Sequence, residues 1–151
     1  MRSAPLVKAA LVALAETLWP APSLASYGAP GTYQPDEIVA VMGQRFEVTR
    51  PTMGTGRSRE EAVETDVVFS VFVPGAEEAQ RAATERAYAM SLELDDHFRV
   101  APQETLGGAC REAWTTRGEL VESRVTASPK SGNVAGRVAE LTVTVTTLAR
   151  R

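Results

Sequence analysis

The sequence is poor in the residue types that most often carry chemistry or cross-links. Among its 151 residues there is one cysteine, Cys110, and one histidine, His97. A single cysteine excludes an intrachain disulfide, and the two residues together cannot supply the four ligands of a structural zinc site. The formal net charge is −3, and aromatic residues make up 6% of the chain. This composition predicts neither a basic nucleic-acid footprint nor an aromatic platform for single strands.

What the chain does contain is the composition of one ordinary globular domain. Hydrophobic residues make up 44% of the sequence and charged residues 23%. A chain of this length is long enough to bury a real core. Blocks of like charge are no longer than pairs, so we expect neither an acidic nor a basic tail.

The few reactive side chains each have an ordinary structural interpretation. Cys110 has no recognisable motif around it and is interpreted as a buried or half-buried thiol. His97 is expected at the C-terminal end of a helix, where a cationic side chain suits the helix dipole. Adjacent carboxylates such as Asp95 and Asp96 point about 100° apart on a helix, which does not suit a metal pair.

Two loops contain closely spaced glycines, at residues 28–31 and 54–56. Neither has the Lys-Ser/Thr pair of a phosphate-binding loop, and neither lies between a parallel strand and a helix. We therefore predict no catalytic residues, no metal ligands and no cofactor. The sequence is not interpreted as that of an enzyme.

The first 26 residues allow two interpretations. Arg2, Lys8, an apolar run and Leu24-Ala25-Ser26 resemble the three regions of a secretory signal. Against this, Glu16 interrupts the apolar run, and apolar side chains recur at helical spacing. We therefore predict a helix over residues 4–18 that stays in the protein and packs into its core. Its apolar stripe consists of Val7, Leu11, Leu14 and Leu18.

An apolar strand followed by a long amphipathic helix forms the centre of the chain. Over residues 66–73, apolar side chains occupy both alternating faces, which predicts a strand covered on both sides of its sheet. A helix is predicted over residues 76–98, and the turn at residues 106–109 then leads to new strands. The apolar stripe of this helix consists of Ala79, Ala83, Ala87, Met90, Leu94 and Phe98.

The rest of the chain predicts shorter elements and two long loops. The further strands are expected at residues 23–27, at residues 37–49 with a bulge or bend at Gly43, at residues 110–126 with a break at Gly118, and at residues 138–148. The loops are expected at residues 50–61 and 127–137. We expect one α+β domain over residues 1–151, with a largely antiparallel mixed sheet and two helices packed on one face.

The order of these features says more about function than any one of them. They are an opening helix that leads to Ser26-Tyr27-Gly28-Ala29-Pro30, the strand Ile38–Val41, a loop, the charged-then-apolar stretch Arg59–Val73, the long helix with Arg86 and Ala87, the turn Leu106-Gly107-Gly108-Ala109, and the alternating strand Val138–Leu148. In this order, and over nearly the whole chain, the sequence resembles the tail terminator proteins of long-tailed bacteriophages. Proteins of this family cap the tail tube and join it to the head.

The resemblance implies a structural virion protein without enzyme activity or cofactor. It implies a mixed subunit that forms a six-membered ring, with one ring face on the last tail-tube ring and the other on the head-completion proteins. The implied location is the head-proximal end of the tail, and the host cytoplasm during assembly. DNA is expected to pass through the lumen without specific binding, and no membrane is involved.

Contact surfaces in this family lie on loops and strand edges, so the resemblance implies contacts within the two predicted loops. The residues expected at the assembly interface are Arg50, Met53, Arg57, Arg59, Lys130, Asn133 and Arg137. Arginine side chains present forked donors that suit carboxylates on a neighbouring subunit.

Two other classes of protein stay open at this point. One is a secreted or periplasmic binding module from which Met1–Ser26 has been removed. The other is a small cytoplasmic enzyme whose site the sequence does not reveal. A mass spectrum of the protein from its natural source distinguishes the first of these from a tail protein, because cleavage removes 26 residues.

Overall fold

The computed structural model describes residues 3–49, 60–126 and 134–150. The helices in these ranges are α1 (Ser3–Leu18), α2 (Glu77–Phe98) and a short 3-10 helix at Gln103–Gly108. The strands are β1 (Leu24–Tyr27), β2 (Glu37–Thr49), β3 (Glu60–Pro74), β4 (Glu112–Val125) and β5 (Gly136–Arg150). All five strands belong to one sheet, in the order β1-β2-β3-β5-β4.

The sheet is mixed but largely antiparallel, and both helices cover the same face of it. β1 pairs with β2 in parallel, and the other three neighbouring pairs are antiparallel. α1 lies on the β1–β2 side and α2 on the β3–β5–β4 side, where both contribute to a single core. Trp19, just after α1, meets Phe69 of β3 edge to face, with ring centroids 5.4 Å apart. The predicted α+β fold is therefore confirmed.

α1 is an integral part of the core, although its buried stripe differs from the predicted one. Val7 and Leu11 are buried as expected, and Ala15 and Trp19 continue the line at four-residue spacing. Leu14 and Leu18 are only half-buried, because they lie beside this line and not on it. Their assignment to the buried stripe was therefore wrong. The indole N–H of Trp19 also donates to Glu93 of α2 over 2.7 Å, which ties the two helices together.

α2 closely matches the prediction. It begins one residue after the predicted start, and its buried side chains are Ala79, Ala83, Ala87, Met90, Leu94 and Phe98. The small alanines in its first half let the helix approach the sheet closely, while the later residues fill volume. Among the described residues, no helix is both long and apolar enough to cross a membrane.

β3 is covered on one face only, which corrects the prediction of a strand covered on both sides. Its odd-numbered residues from Glu61 to Val71 are buried, while its even-numbered residues from Glu60 to Phe72 are half-buried. The outer side chains Val68 and Phe72 are apolar, which suggested a second covering layer. Both helices pack on the other face, however, so no described helix covers this one.

The irregularities in the strands lie close to the glycines but do not all coincide with them. The register between β2 and β3 shifts between Val41 and Gln44, as the bulge predicted at Gly43 requires. β4 is continuous through Gly118, which pairs with Val143, so the predicted break there is wrong. The shift in β4 lies instead between Thr115 and Arg117. An extra residue can be accommodated as a bulge without ending the strand.

The two long loops are shorter than predicted at their C-terminal ends. Glu60 and Glu61 already belong to β3, and Gly136 and Arg137 already belong to β5. A Cβ atom on Gly136 would collide with the ring of Phe72, so glycine permits the close approach of these two strands. Of the rest of both predicted loops, Val134 and Ala135 are described and precede β5, and residues 50–59 and 127–133 lie outside the described residues.

Candidate assembly surface

Of the residues predicted at the assembly interface, only Arg137 is described. The residues that lie outside the described ranges are Arg50, Met53, Arg57, Arg59, Lys130 and Asn133. Arg137 lies within β5, opposite Val73 of β3 and Arg124 of β4. It is therefore a strand residue near the end of the sheet, and its predicted place in a loop is wrong.

Arg137 and Arg124 form a like-charged pair across two strands. Like charges directly opposite each other in a sheet are destabilising. The Nε atom of Arg137 is buried and has no hydrogen-bond partner in the described structure. Neither arginine forms an ion pair with another described residue. Arg124 is exposed, so its guanidinium can reach a carboxylate of another molecule, whereas Arg137 is half-buried beside it.

The outer face of the sheet, which the helices leave uncovered, carries a band of paired charges. We call the set Arg45, Glu64, Asp66, Arg117 and Thr144 the charged band. Arg45 of β2 donates to Glu64 over 3.1 Å and to both oxygens of Asp66 over 3.1 and 3.2 Å. Arg117 of β4 donates to Glu64 over 3.1 Å, and the Thr144 hydroxyl of β5 donates to Asp66 over 3.2 Å. The band therefore links four strands across this face.

The charged band is held electrostatically but contributes little to folding. The hydrogen bond from Arg45 holds the pKa of Asp66 below its ordinary value, and burial of Asp66 opposes that effect. Asp66 in turn raises the pKa of Arg45, which keeps the guanidinium charged. The Arg45 side chain is 52% exposed, and exposed ion pairs contribute at most about 1 kcal/mol. The band thus fixes side-chain positions more than it stabilises the fold.

On one side of the charged band, toward the end of β3 at Pro74, the outer face is partly apolar. Val68 and Phe72 of β3 are half-buried there, and Ile38 and Ala40 of β2 are buried. Val121 of β4, on the same face, is 55% exposed. Such a face offers both polar and apolar contact area to another protein.

Within the described ranges, the sheet also has two edges along which no further strand pairs. β4 is the last strand of the sheet, and its 14 residues pair only with β5 within the described chain. At the opposite side, β1 pairs with residues 38–41 of β2, so among the described strands residues 44–49 are partnered by β3 alone. Open edges carry backbone N–H and C=O groups that can pair with another chain.

A buried carboxylate anchors the start of α1, and the sequence analysis did not find it. Glu61 of β3 is fully buried, and its Oε1 atom accepts hydrogen bonds from the Ser3 backbone N–H over 3.0 Å and from the Ser3 hydroxyl over 2.6 Å. A carboxylate beside the first turn of a helix is favoured by the helix dipole. The signal was the alternation itself, because Glu61 shares its face with Val63 and Val67.

Of the residues considered for chemistry, Cys110 has the expected burial, and His97 lies at the expected end of α2. Cys110 is buried, and burial raises the pKa of its thiol to about 11, so the thiolate is suppressed at neutral pH. Asp95 accepts from the Thr115 hydroxyl over 2.7 Å and pairs with Arg99 over 2.8 Å. His97 borders a shallow cavity of about 340 Å3 beside Leu14 and Leu106.

The described part of the chain contains no set of three His, Cys, Asp or Glu side chains placed to hold a metal ion. Comparison of the sequence with protein-family models and with curated proteins found no match.

Proposed function

We propose that the protein is a structural subunit that caps the tail tube of a long-tailed bacteriophage as a ring and joins it to the head-completion complex. The proposal starts from the order of sequence features that resembles tail terminators. Most of the residues that carry the resemblance lie within the described ranges, while Arg59 and the loop before it lie outside them. Ser26 and Tyr27 end β1, Gly28 follows with its N–H bonded to Val41, and Leu106–Ala109 form the turn after α2.

One observation carries the proposal: within the described residues, the helices cover only one face of the sheet, and two of its edges have no further strand partner. A ring subunit needs two different lateral surfaces, one for each neighbour, as well as surfaces above and below. The charged band and the half-exposed apolar residues on the outer face supply polar and apolar contact area. The edges at β4 and at residues 44–49 of β2 lie on opposite sides of the domain.

The burial of α1 supports this proposal over the secreted alternative. Removal of residues 1–26 would take away α1 and most of β1, and with them the buried side chains of Val7, Leu11, Ala15 and Trp19. The apolar surface that these side chains cover would then be exposed to water. Exposure costs about 25 cal/mol of folding free energy for each Å2 of apolar surface. We expect the mass of the natural protein, measured by mass spectrometry, to include residues 1–26.

Electron microscopy of intact particles tests the proposed function. The expected result is six copies in a ring at the head-proximal end of the tail tube, between the last tube ring and the head-completion proteins. Particles in which the chain is absent, or present as a single copy, would contradict the proposal. Genes for tail-tube and tape-measure proteins beside its own gene are the second expected observation.

A further inference from the structure

We propose that neighbouring copies join head to tail through the sheet, with β4 of one copy pairing antiparallel to residues 44–49 of β2 in the next. This contact specifies how neighbouring subunits of the proposed ring would meet. It rests on the proposed function for the closure of the ring and for the number of copies. In this arrangement, the partner of both edges is another copy of the same chain.

Strand direction allows this contact without turning either subunit over. Along the order β2, β3, β5 and β4, each strand is antiparallel to its neighbour, so β4 runs opposite to β2. A second copy placed beside β4 in the same orientation therefore presents its β2 antiparallel to β4. The helices of both copies then lie on the same side of the joined sheets, and the contact can repeat around a ring. The pairing is confined to residues 44–49 of β2, because β1 already fills the edge of β2 at residues 38–41.

One register satisfies both charge and shape. It places Arg45 opposite Glu119 and Glu47 opposite Arg117, with Phe46 opposite Gly118 between them. Glu119 pairs with Thr142 and Arg117 with Thr144 within the subunit, so both lie on the outer face, as Arg45 and Glu47 do. Opposite charges directly across an antiparallel pair are stabilising, and each of the two pairs in this register has that arrangement.

The charged residues at the two edges have donors and acceptors to spare. Arg45 uses three of its N–H groups on Glu64 and Asp66, and a guanidinium has five such groups in all. Glu47 and Glu119 are both exposed, and no hydrogen bond or ion pair ties either of them to the described chain. The contact therefore extends the charged band across the subunit boundary without breaking the pairs already present.

The central pair brings an exposed aromatic ring over a glycine. Phe46 pairs with Val63 and Gly118 with Val143, so both lie on the helix-covered face of the sheet. Phe46 is 50% exposed, and Gly118 has no side chain to obstruct a ring from the neighbouring strand. An aromatic side chain that covers a glycine on an adjacent strand is a known stabilising arrangement in sheets.

A two-fold contact between two β4 strands is the main competing arrangement. If two copies paired around Gly118, Arg117 of each would lie opposite Glu119 of the other. That contact would leave residues 44–49 of β2 uncovered, and it closes after two copies without building a ring. The head-to-tail contact uses both edges, and we therefore favour it.

Disulfide trapping in solution tests the contact on the full chain. In a Cys110→Ala background, one chain carries Glu47→Cys and a second carries Arg117→Cys, which leaves the other two pairs of the register intact. After mixing and oxidation, the expected product is the mixed disulfide, identified by mass spectrometry, in excess over both homodimers. A Glu140→Cys chain is the matched control, because Glu140 is exposed on the outer face of the interior strand β5.

Charge reversal then checks the register. Adding Glu119→Arg to the Arg117→Cys chain should lower the yield of the mixed disulfide about two- to fivefold, the range of a cross-strand charge pair. Adding Arg45→Glu to the other chain should restore it. A yield no higher than that of the Glu140→Cys control would overturn the contact. So would a Gly118→Cys chain that forms homodimers more readily than the mixed pair forms.

The outcome can be separated from that of the proposed function. Trapping that fails while particles show six copies at the tail end would remove the contact and leave the function standing. Trapping that succeeds while the chain is absent from particles would remove the function and leave the contact standing.

Discussion

The two faces of β3 differ in almost every respect, although they alternate along the same 15 residues. Phe69, Val67 and Val71 on one face are fully or almost fully buried beneath the helices. On the other face, Glu64 and Asp66 are half-buried and paired with arginines. The covered face supplies the free energy of folding. Polar residues on the outer face change the free energy of folding little. They are therefore free to serve contact with another molecule.

The largest expected difference between the two faces concerns two phenylalanines of β3. Phe69→Ala removes a fully buried ring that packs against Trp19 and should lower the free energy of unfolding by about 3–5 kcal/mol. Phe72→Ala removes a half-buried ring from the outer face and should cost about 1 kcal/mol. Urea unfolding of both variants measures the two losses, and equal losses would show that the outer face is also part of the core.

A similar comparison within α1 tests whether this helix belongs to the core. Leu11→Ala should cost about 2–5 kcal/mol, because Leu11 is buried among the core residues. Leu14→Ala should cost about half as much, because Leu14 is only half-buried. Thermal or urea unfolding checks both values. A loss below about 0.5 kcal/mol for Leu11→Ala, as at an exposed site, would mean that α1 is dispensable.

Two glutamates of β3 give the same comparison for polar groups. Glu61→Gln weakens charge-assisted hydrogen bonds from Ser3 in a buried site and should cost about 1.5–3 kcal/mol. Glu64→Gln on the outer face should cost at most about 1 kcal/mol, because its ion pairs with Arg45 and Arg117 are exposed. The Glu64 effect should also shrink in 1 M salt, where the Debye length is about 3 Å. A salt-sensitive Glu61 effect would contradict its buried role.

The smallest expected effect is a dependence of stability on pH through Glu37. A hydrogen bond from Arg86 holds the pKa of Glu37 below its ordinary value of 4.5, and burial of Glu37 opposes that effect. Since the folded pKa lies below the unfolded one, this contribution is present above pH 4.5 and is lost as the pH falls through the lowered value. Glu37→Gln should therefore lose less stability than the wild type from about pH 5 to about pH 3. Identical acid unfolding profiles would contradict this linkage.

The sequence predicts the helices and strands of this fold better than it predicts what packs against each of them. The alternation in residues 138–148 and the stripe in α2 indicated the faces correctly, because burial and periodicity are directly related. The same pattern gave a wrong prediction at Val68 and Phe72. These apolar residues on the outer face suggested that a second layer covers β3. Glu61 was missed because the acceptance of an acidic residue in a buried strand depends on contacts distant in sequence, such as Ser3, which is 58 positions away.

The edge position of β4 could not be read from the sequence at all. It depends on β5 inserting between β3 and β4, which is a matter of topology and not of local pattern. The interface predicted from family resemblance was placed in loops, and most of those residues lie outside the described chain. The surface that the described residues do offer consists of strand edges and the outer face, with Arg45, Arg117 and Glu119 as its main charges.

Hydrogen exchange on the free chain and on assembled particles tests most directly whether the uncovered parts of the sheet are assembly surfaces. Amides of β4 that point away from β5, and amides of residues 44–49 that point away from β3, should exchange rapidly in the free chain and slowly in the particle. Amides in the central strand β3 should be protected in both states, because they bond to strands on either side. Equal exchange at the two edges in both states would contradict the account.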